Sequence, residues 1–132
     1  HRFRVLPIVN ENDTTATDEI QFGDNDLLAA KLAKIFKADL LIMLSSVEGL
    51  YESFNGQNNQ STLIRQVSKV TKDIHAMAGK ASKSGKGGMT SKIEAAKIML
   101  SMNSNMVITK GDAANPLLRL KKSVPSTWFN KS

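Results

Sequence analysis

The stretch SGKGGMTSK, Ser84 to Lys92, places three glycines and two lysines within nine residues and runs directly into an apolar helical pattern. Glycine-rich turns expose backbone N–H groups, and lysines add positive charge, so the chemistry on offer is the holding of an anion such as a phosphate. The P-loop pattern does not fit. Gly79 and Gly85 are separated by five residues where that pattern has four, and Gly87 follows Lys86 where a Ser or Thr should stand. Two readings of the loop follow, a different phosphate loop or a solvated surface turn. Met89, Ile93, Ala96 and Leu100 recur at helical spacing, so the loop leads into a helix N-terminus, where free N–H groups and the helix dipole favour an anion. Lys92 stands one turn into that helix, placed to reach a phosphate lying there; as a lone residue it also fits a solvated helix lysine.

Two polar clusters offer a second kind of chemistry: Asn10-Glu11-Asn12-Asp13 and Gly23-Asp24-Asn25-Asp26. An Asn amide can donate to a carboxylate and accept from an ammonium, and Asp supplies a counter-charge for an amine, so together they suit a bound amino acid. Loop and N-cap chemistry uses the same residues. For phosphoryl transfer, Asp26 could orient Lys92 or a magnesium ion. His1 and His75 have no ligand spacing around them, so no protein-held metal is expected. Nothing ties a serine to a base as a triad would require.

Certain elements must position these residues. Val5 to Val9 is a short apolar run of strand type, interrupted by Pro7. Asp24, Asn25 and Asp26 precede Leu27, Leu28, Leu32, Ile35 and Phe36, which predicts a capped helix with one apolar face. Leu40 to Leu44 reads as a strand covered on both faces, ending at Ser45-Ser46. Glu52 to Thr62 reads as an exposed loop, Lys72 to Ala78 as a modest helix, and Met106 to Thr109 as another strand closed by Gly111. The alternation of strand and helix predicts an α/β fold with a mainly parallel sheet. Ligands in such sheets bind beyond the carboxyl ends of the strands, here marked by Asn10 to Asp13, Ser45-Ser46 and Thr109 to Gly111.

At 132 residues, with 41% hydrophobic and 23% charged residues, the chain has the composition of one globular domain. No apolar run approaches the ~20 residues that cross a bilayer, and HRFRVLPIVN lacks the features of a signal peptide, so a cytoplasmic location is expected. The absence of cysteine excludes disulfides and thiolate metal sites. A formal charge of +6 attracts phosphates, whether of a nucleotide or a nucleic acid. Seven aromatic residues, none interleaved with the long basic stretches, argue against a stacking platform for nucleic acid.

Taken in order, PIVNENDTTATDEIQFGDND, ADLLIMLSSVEGLY, GKGGMTSKIEAAKI and a strand ending in ITKG resemble the amino acid kinase family, in its glutamate-phosphorylating branch, from about Val5 to about Phe129. The resemblance implies a three-layer α/β/α sandwich, incomplete in this chain. It implies transfer of the γ-phosphoryl of ATP, with Mg2+, to the side-chain carboxylate of L-glutamate, the first step of proline synthesis. Residue by residue, Asp13 and Asn25 match glutamate-binding positions, with Asn10 beside them. Asp26 matches the aspartate that organises the catalytic lysines, and Lys92 matches one of those lysines. Lys86, Gly87, Gly88, Met89, Thr90, Ser91 and Lys92 correspond to the ATP-binding loop. The region from Asn10 to Asp26 corresponds to the overlap with a feedback site for L-proline.

Two local departures stand out. Ser45-Ser46 replaces a Thr-Asp pair that many relatives place beside the nucleotide, and Lys86 stands where a smaller residue is common. The larger departure is length. The resemblance makes residues 1–132 the C-terminal half of one kinase domain, without the N-terminal strand and glycine loop that carry a second lysine and without a PUA module. A half sheet should expose apolar edges, so a homo-oligomer or cover by an upstream segment is expected, and the isolated chain is expected to be nearly inactive. Acetylglutamate, aspartate, uridylate and carbamate kinases share the scaffold and stand as alternatives within it. A regulatory or nucleic-acid-binding module is the alternative outside it.

Overall fold

The structure is a computed structural model that describes residues 6–10, 25–52, 61–81 and 88–131. Its elements are α1 (Asn25–Phe36), β1 (Leu40–Ser45), β2 (Gln66–Val67), α2 (Lys72–Ala81), α3 (Gly88–Ser101), β3 (Asn105–Lys110), α4 (Pro116–Leu120) and β4 (Ser126–Phe129). The four strands form one sheet in the order β1-β3-β4-β2. β1 pairs with β3 and β2 with β4 in parallel, whereas β3 and β4 are antiparallel. The expected α/β fold with a mostly parallel sheet is thus what forms. The antiparallel β4 and the two-residue β2 were not anticipated, because runs this short carry no readable alternation.

Helices α1 and α3 end in the same way. Lys37 and Asn103 both adopt the left-handed conformation, with φ of 51° and 60°. Around them Lys37 N–H donates to Lys34 O and Ala38 N–H to Ala33 O, while Asn103 N–H donates to Leu100 O and Ser104 N–H to Met99 O. These are paired Schellman closures, which satisfy the last helical carbonyls and turn the chain back sharply. Each is followed at once by a strand, and Asn105 N–H donates to Asp39 O as the two strands begin to pair. A 12-residue helix spans about 18 Å and a six-residue strand about 20 Å. Each helix therefore runs back along its strand, and its N-terminus lies level with the strand's carboxyl end.

Helix α3 lies over β3 and packs against both α1 and α2. Its buried residues, Met89, Ser91, Ile93, Ala95, Ala96, Met99 and Leu100, cover more than one stripe, as a helix flanked on several sides requires. On α1 the buried positions are Ala30 and Ala33, whereas Ile35 and Phe36, expected on the apolar face, are 71% and 64% exposed. Small residues let α1 approach α3 closely, and the larger side chains fall outside that contact. Leu40 and Leu44 on the sheet-edge strand β1 are also exposed, so β1 is not covered on both faces. Leu6 to Asn10 belongs to no strand and is exposed; an apolar run becomes a strand only where a neighbour takes up its backbone hydrogen bonds.

The fully buried Thr127 ties the segment after β1 to the far half of the sheet. Its hydroxyl accepts from Leu50 N–H at 2.8 Å and donates to Ile64 O at 2.7 Å. Beside it, Ile64 N–H donates to Leu50 O and Glu52 N–H to Thr62 O, which closes the base of the loop that the sequence predicts. A Cβ on Gly49 would stand 2.3 Å from Thr127 Oγ1 and 3.0 Å from its backbone N. Gly49→Ala is therefore expected to lower stability by about 1–3 kcal/mol through overpacking. Urea unfolding reads the change, and an unaltered midpoint would show that the contact yields freely.

Candidate functional site

Because α1 and α3 lie side by side with their N-terminal turns at the same edge of the sheet, Asp26 meets Ser91 and Lys92 across some 65 residues of chain. Lys92 Nζ is 2.8 Å from Asp26 Oδ2 and donates also to Gly88 O at 3.2 Å. Ser91 Oγ lies 2.9 Å from the same Oδ2 and 3.2 Å from Gly88 O. The side chains of Lys92 and Asp26 are only 12% and 23% exposed, so the pair is screened less than a surface ion pair. One carboxylate oxygen thus holds an ammonium and a hydroxyl at the positive end of a 14-residue helix. Free N–H groups and the dipole at such a helix end favour an anion.

The carboxyl ends of β1 and β3 complete this edge. Gly111 N–H donates to Ser45 O at 2.8 Å. A Cβ on Gly111 would come within 2.9 Å of Leu44 Cβ, so only glycine allows the chain leaving β3 to pass so close. A small cavity of about 40 Å³ lies beside it, lined by Glu48, Thr109, Lys110, Pro116, Arg119, Val124 and Pro125. Arg119 and Pro125 were not marked by any motif in the sequence, and Glu48, although inside the ADLLIMLSSVEGLY stretch, was given no role there. They converge because α4 and the start of β4 fold back over the end of β3, which local pattern does not disclose.

The sequence candidates separate into three groups. Asp26, Ser91 and Lys92 are brought together, with Gly88 supplying a carbonyl. Asn25 is exposed at the start of α1 beside Asp26, Thr90 is exposed on α3, and Met89 is buried in the core. Ser45 ends β1, its Oγ accepting from Val47 N–H at 3.4 Å, and Ser46 is exposed after it. Asn10 is exposed at the end of the Leu6 to Asn10 segment. Asp13, Lys86 and Gly87 lie outside the described residues. Among the described residues no helix is long and apolar enough to cross a membrane.

The amino acid kinase family matches this sequence over residues 1–110. The chain belongs to the amino acid kinase family. Among curated relatives, the glutamate 5-kinases of Rhodopseudomonas palustris and Nitrobacter winogradskyi are each 48% identical over 128 residues, which is 96% of this chain and 34% of theirs. The chain spans about a third of the length of these kinases. Two solved structures share the fold. The carbamate kinase from Giardia lamblia bound to AMP-PNP superposes with a TM-score of 0.59 at 21% identity, over 83% of this chain and 36% of its own. The UMP kinase from Ureaplasma parvum gives 0.52 at 16% identity, over 80% and 41%.

Near the cavity, Tyr51 Oη donates to Glu48 Oε2 at 2.6 Å. That hydrogen bond, then burial, then the negative charge of Glu48 raise the phenol above its ordinary 10.0. A raised pKa in the folded state means the tether's stabilisation is complete below the ordinary value and is lost as pH rises through the raised one. Tyr51 is the sole tyrosine, so its phenolate absorbance can be titrated without overlap. The midpoint is expected above 10.0 and to move down in Glu48→Gln; a midpoint at or below the ordinary value would contradict the tether.

Proposed function

We propose that this chain is part of an ATP-dependent glutamate 5-kinase, phosphorylating the side-chain carboxylate of L-glutamate to give L-glutamyl 5-phosphate. The observation that carries this reading is the Lys92–Asp26 pair at the N-terminus of α3, in a chain 48% identical to glutamate 5-kinases. The reaction joins a glutamate carboxylate oxygen to the γ-phosphorus of ATP and breaks the bond from that phosphorus to the β–γ bridging oxygen, releasing ADP. Charge develops on the phosphoryl oxygens as it moves between them, and a fixed cation beside them lowers the barrier. Lys92 supplies that cation, and the α3 N-terminus and the loop from Lys86 to Thr90 cradle the phosphates.

Asp26 anchors Lys92. Its Oδ2 receives an ammonium and a hydroxyl, which suits a carboxylate that orients a lysine; Mg2+ would enter with ATP as part of the co-substrate and supply charge neutralisation on its phosphates. Asn10, Asp13 and Asn25 are assigned to glutamate, with L-proline as a competing feedback ligand in the same region. Ser45 and Ser46 face the nucleotide with hydroxyls. The location is cytoplasmic, and exposed Leu40 and Leu44 on β1 favour cover by another copy in a homo-oligomer or by an upstream segment.

The test is glutamate-dependent ADP release with hydroxylamine trapping of the acyl phosphate, on the polypeptide encoded by the complete reading frame. Trapped γ-glutamyl hydroxamate is expected, with Lys92→Ala lowering kcat by about 10²-fold or more, as for loss of one oriented charge-stabilising group. The 132-residue chain alone is expected to show little or no turnover, because phosphoryl transfer depends on every positioning group being present. ATP binding without product would exclude glutamate as the acceptor.

A further inference from the structure

In the first turn of α3, Ser91 and Lys92 are consecutive, so on a helix their side chains leave in directions about 100° apart. They nevertheless converge on the same two acceptors. Lys92 folds back toward the helix N-terminus, as long helical side chains do, and reaches Gly88 O and Asp26 Oδ2. Ser91 reaches the same pair from the inner side of the helix, where it is 8% exposed, whereas its neighbour Thr90 is exposed. Its shorter contact is the one to the carboxylate, 2.9 Å against 3.2 Å to the carbonyl.

We propose that Ser91 is a positioning residue: its buried hydroxyl holds the Asp26 carboxylate in place, and Asp26 in turn presents the Lys92 ammonium at the α3 N-terminus. This departs from the expectation that Ser91, as part of the loop, touches the nucleotide. Its physical value is that the hydroxyl is uncharged. An ammonium that swings toward a phosphoryl group loosens its hold on the carboxylate, and a tether that does not move with the lysine keeps the carboxylate aimed for its return. Threonine offers the same hydroxyl on a stiffer side chain and serves as the conservative substitute; alanine removes the tether. The catalytic importance of the arrangement rests on the kinase reading, but the tether itself does not.

Both parts can be read on one sample of the polypeptide from the complete reading frame. Trace acetylation with acetic anhydride, quantified by mass spectrometry, reports how often the Lys92 amine leaves its pair, with the 63% exposed Lys97 on the same helix as internal reference. In Ser91→Ala, Lys92 labelling relative to Lys97 is expected to rise about fivefold, the population change allowed by loss of one hydrogen bond. Ser91→Thr is expected to restore protection, and Asp26→Asn to raise labelling at least as much as Ser91→Ala. In steady-state kinetics Ser91→Ala is expected to lower kcat with little change in KM for ATP, and Ser91→Thr to recover kcat. Unchanged Lys92 labelling in Ser91→Ala would overturn the proposal, as would a raised KM for ATP at constant kcat, which marks a nucleotide ligand. Absence of glutamate turnover in the unsubstituted protein would remove the kinase reading, while labelling would still decide the tether.

Discussion

The structure depends on one constraint: two helices, each turned back by a Schellman closure onto the strand that follows it, lie side by side over a parallel strand pair. With β1 and β3 in register from Leu40–Asn105 to Ser45–Lys110, α1 and α3 have little freedom in where their N-termini fall. Both arrive at the carboxyl edge of the sheet, and both bring their positive ends there. The partly buried pair between Asp26 and Lys92 follows from this geometry. Such a pair gives modest net stability, since desolvation offsets much of the attraction, but it fixes where the ammonium stands.

The close approach of α1 and α3 is a matter of side-chain size. Ala30 and Ala33 on one helix and Ala95 and Ala96 on the other are all buried in the same core cluster. Larger residues at these positions would push the axes apart, and the lysine and carboxylate would separate with them. The core thus sets a distance in the site. The other half of the sheet is secured differently, through the buried Thr127 hydroxyl, which satisfies an N–H and a carbonyl that would otherwise lack partners. This polar tie holds the segment carrying Glu48 and Tyr51 close to β4, and so helps to shape the cavity at the end of β3.

Family and fold bear differently on chemistry. Membership in the amino acid kinase family accounts for the sheet, the helix order and the glycine loop entering α3. The scaffold is shared with kinases of quite different acceptors, carbamate and UMP among them. On the kinase reading, what distinguishes an acceptor lies in side chains around the Asp26–Lys92 pair, and the proposal of glutamate draws on the asparagine and aspartate clusters at Asn10 to Asp13 and at Asp24 to Asp26.

The sequence by itself determined the local elements and their polarity. Apolar spacing marked α3 from Met89 to Leu100, the run from Leu40 to Leu44 marked β1, and the glycines before α3 marked its start, because period and turn chemistry act over a few residues. Motif order also singled out Asp26 and Lys92. Only the tertiary structure decided that Ser91 turns inward to share their carboxylate, that β4 joins antiparallel, and that Glu48 and Arg119 line one cavity. It also decided that Ile35 and Phe36 stay exposed while alanines fill the interface. The physical reason is the same in each case. Which face of an element is covered depends on the neighbour that packs against it, and that neighbour can lie some 65 residues away along the chain.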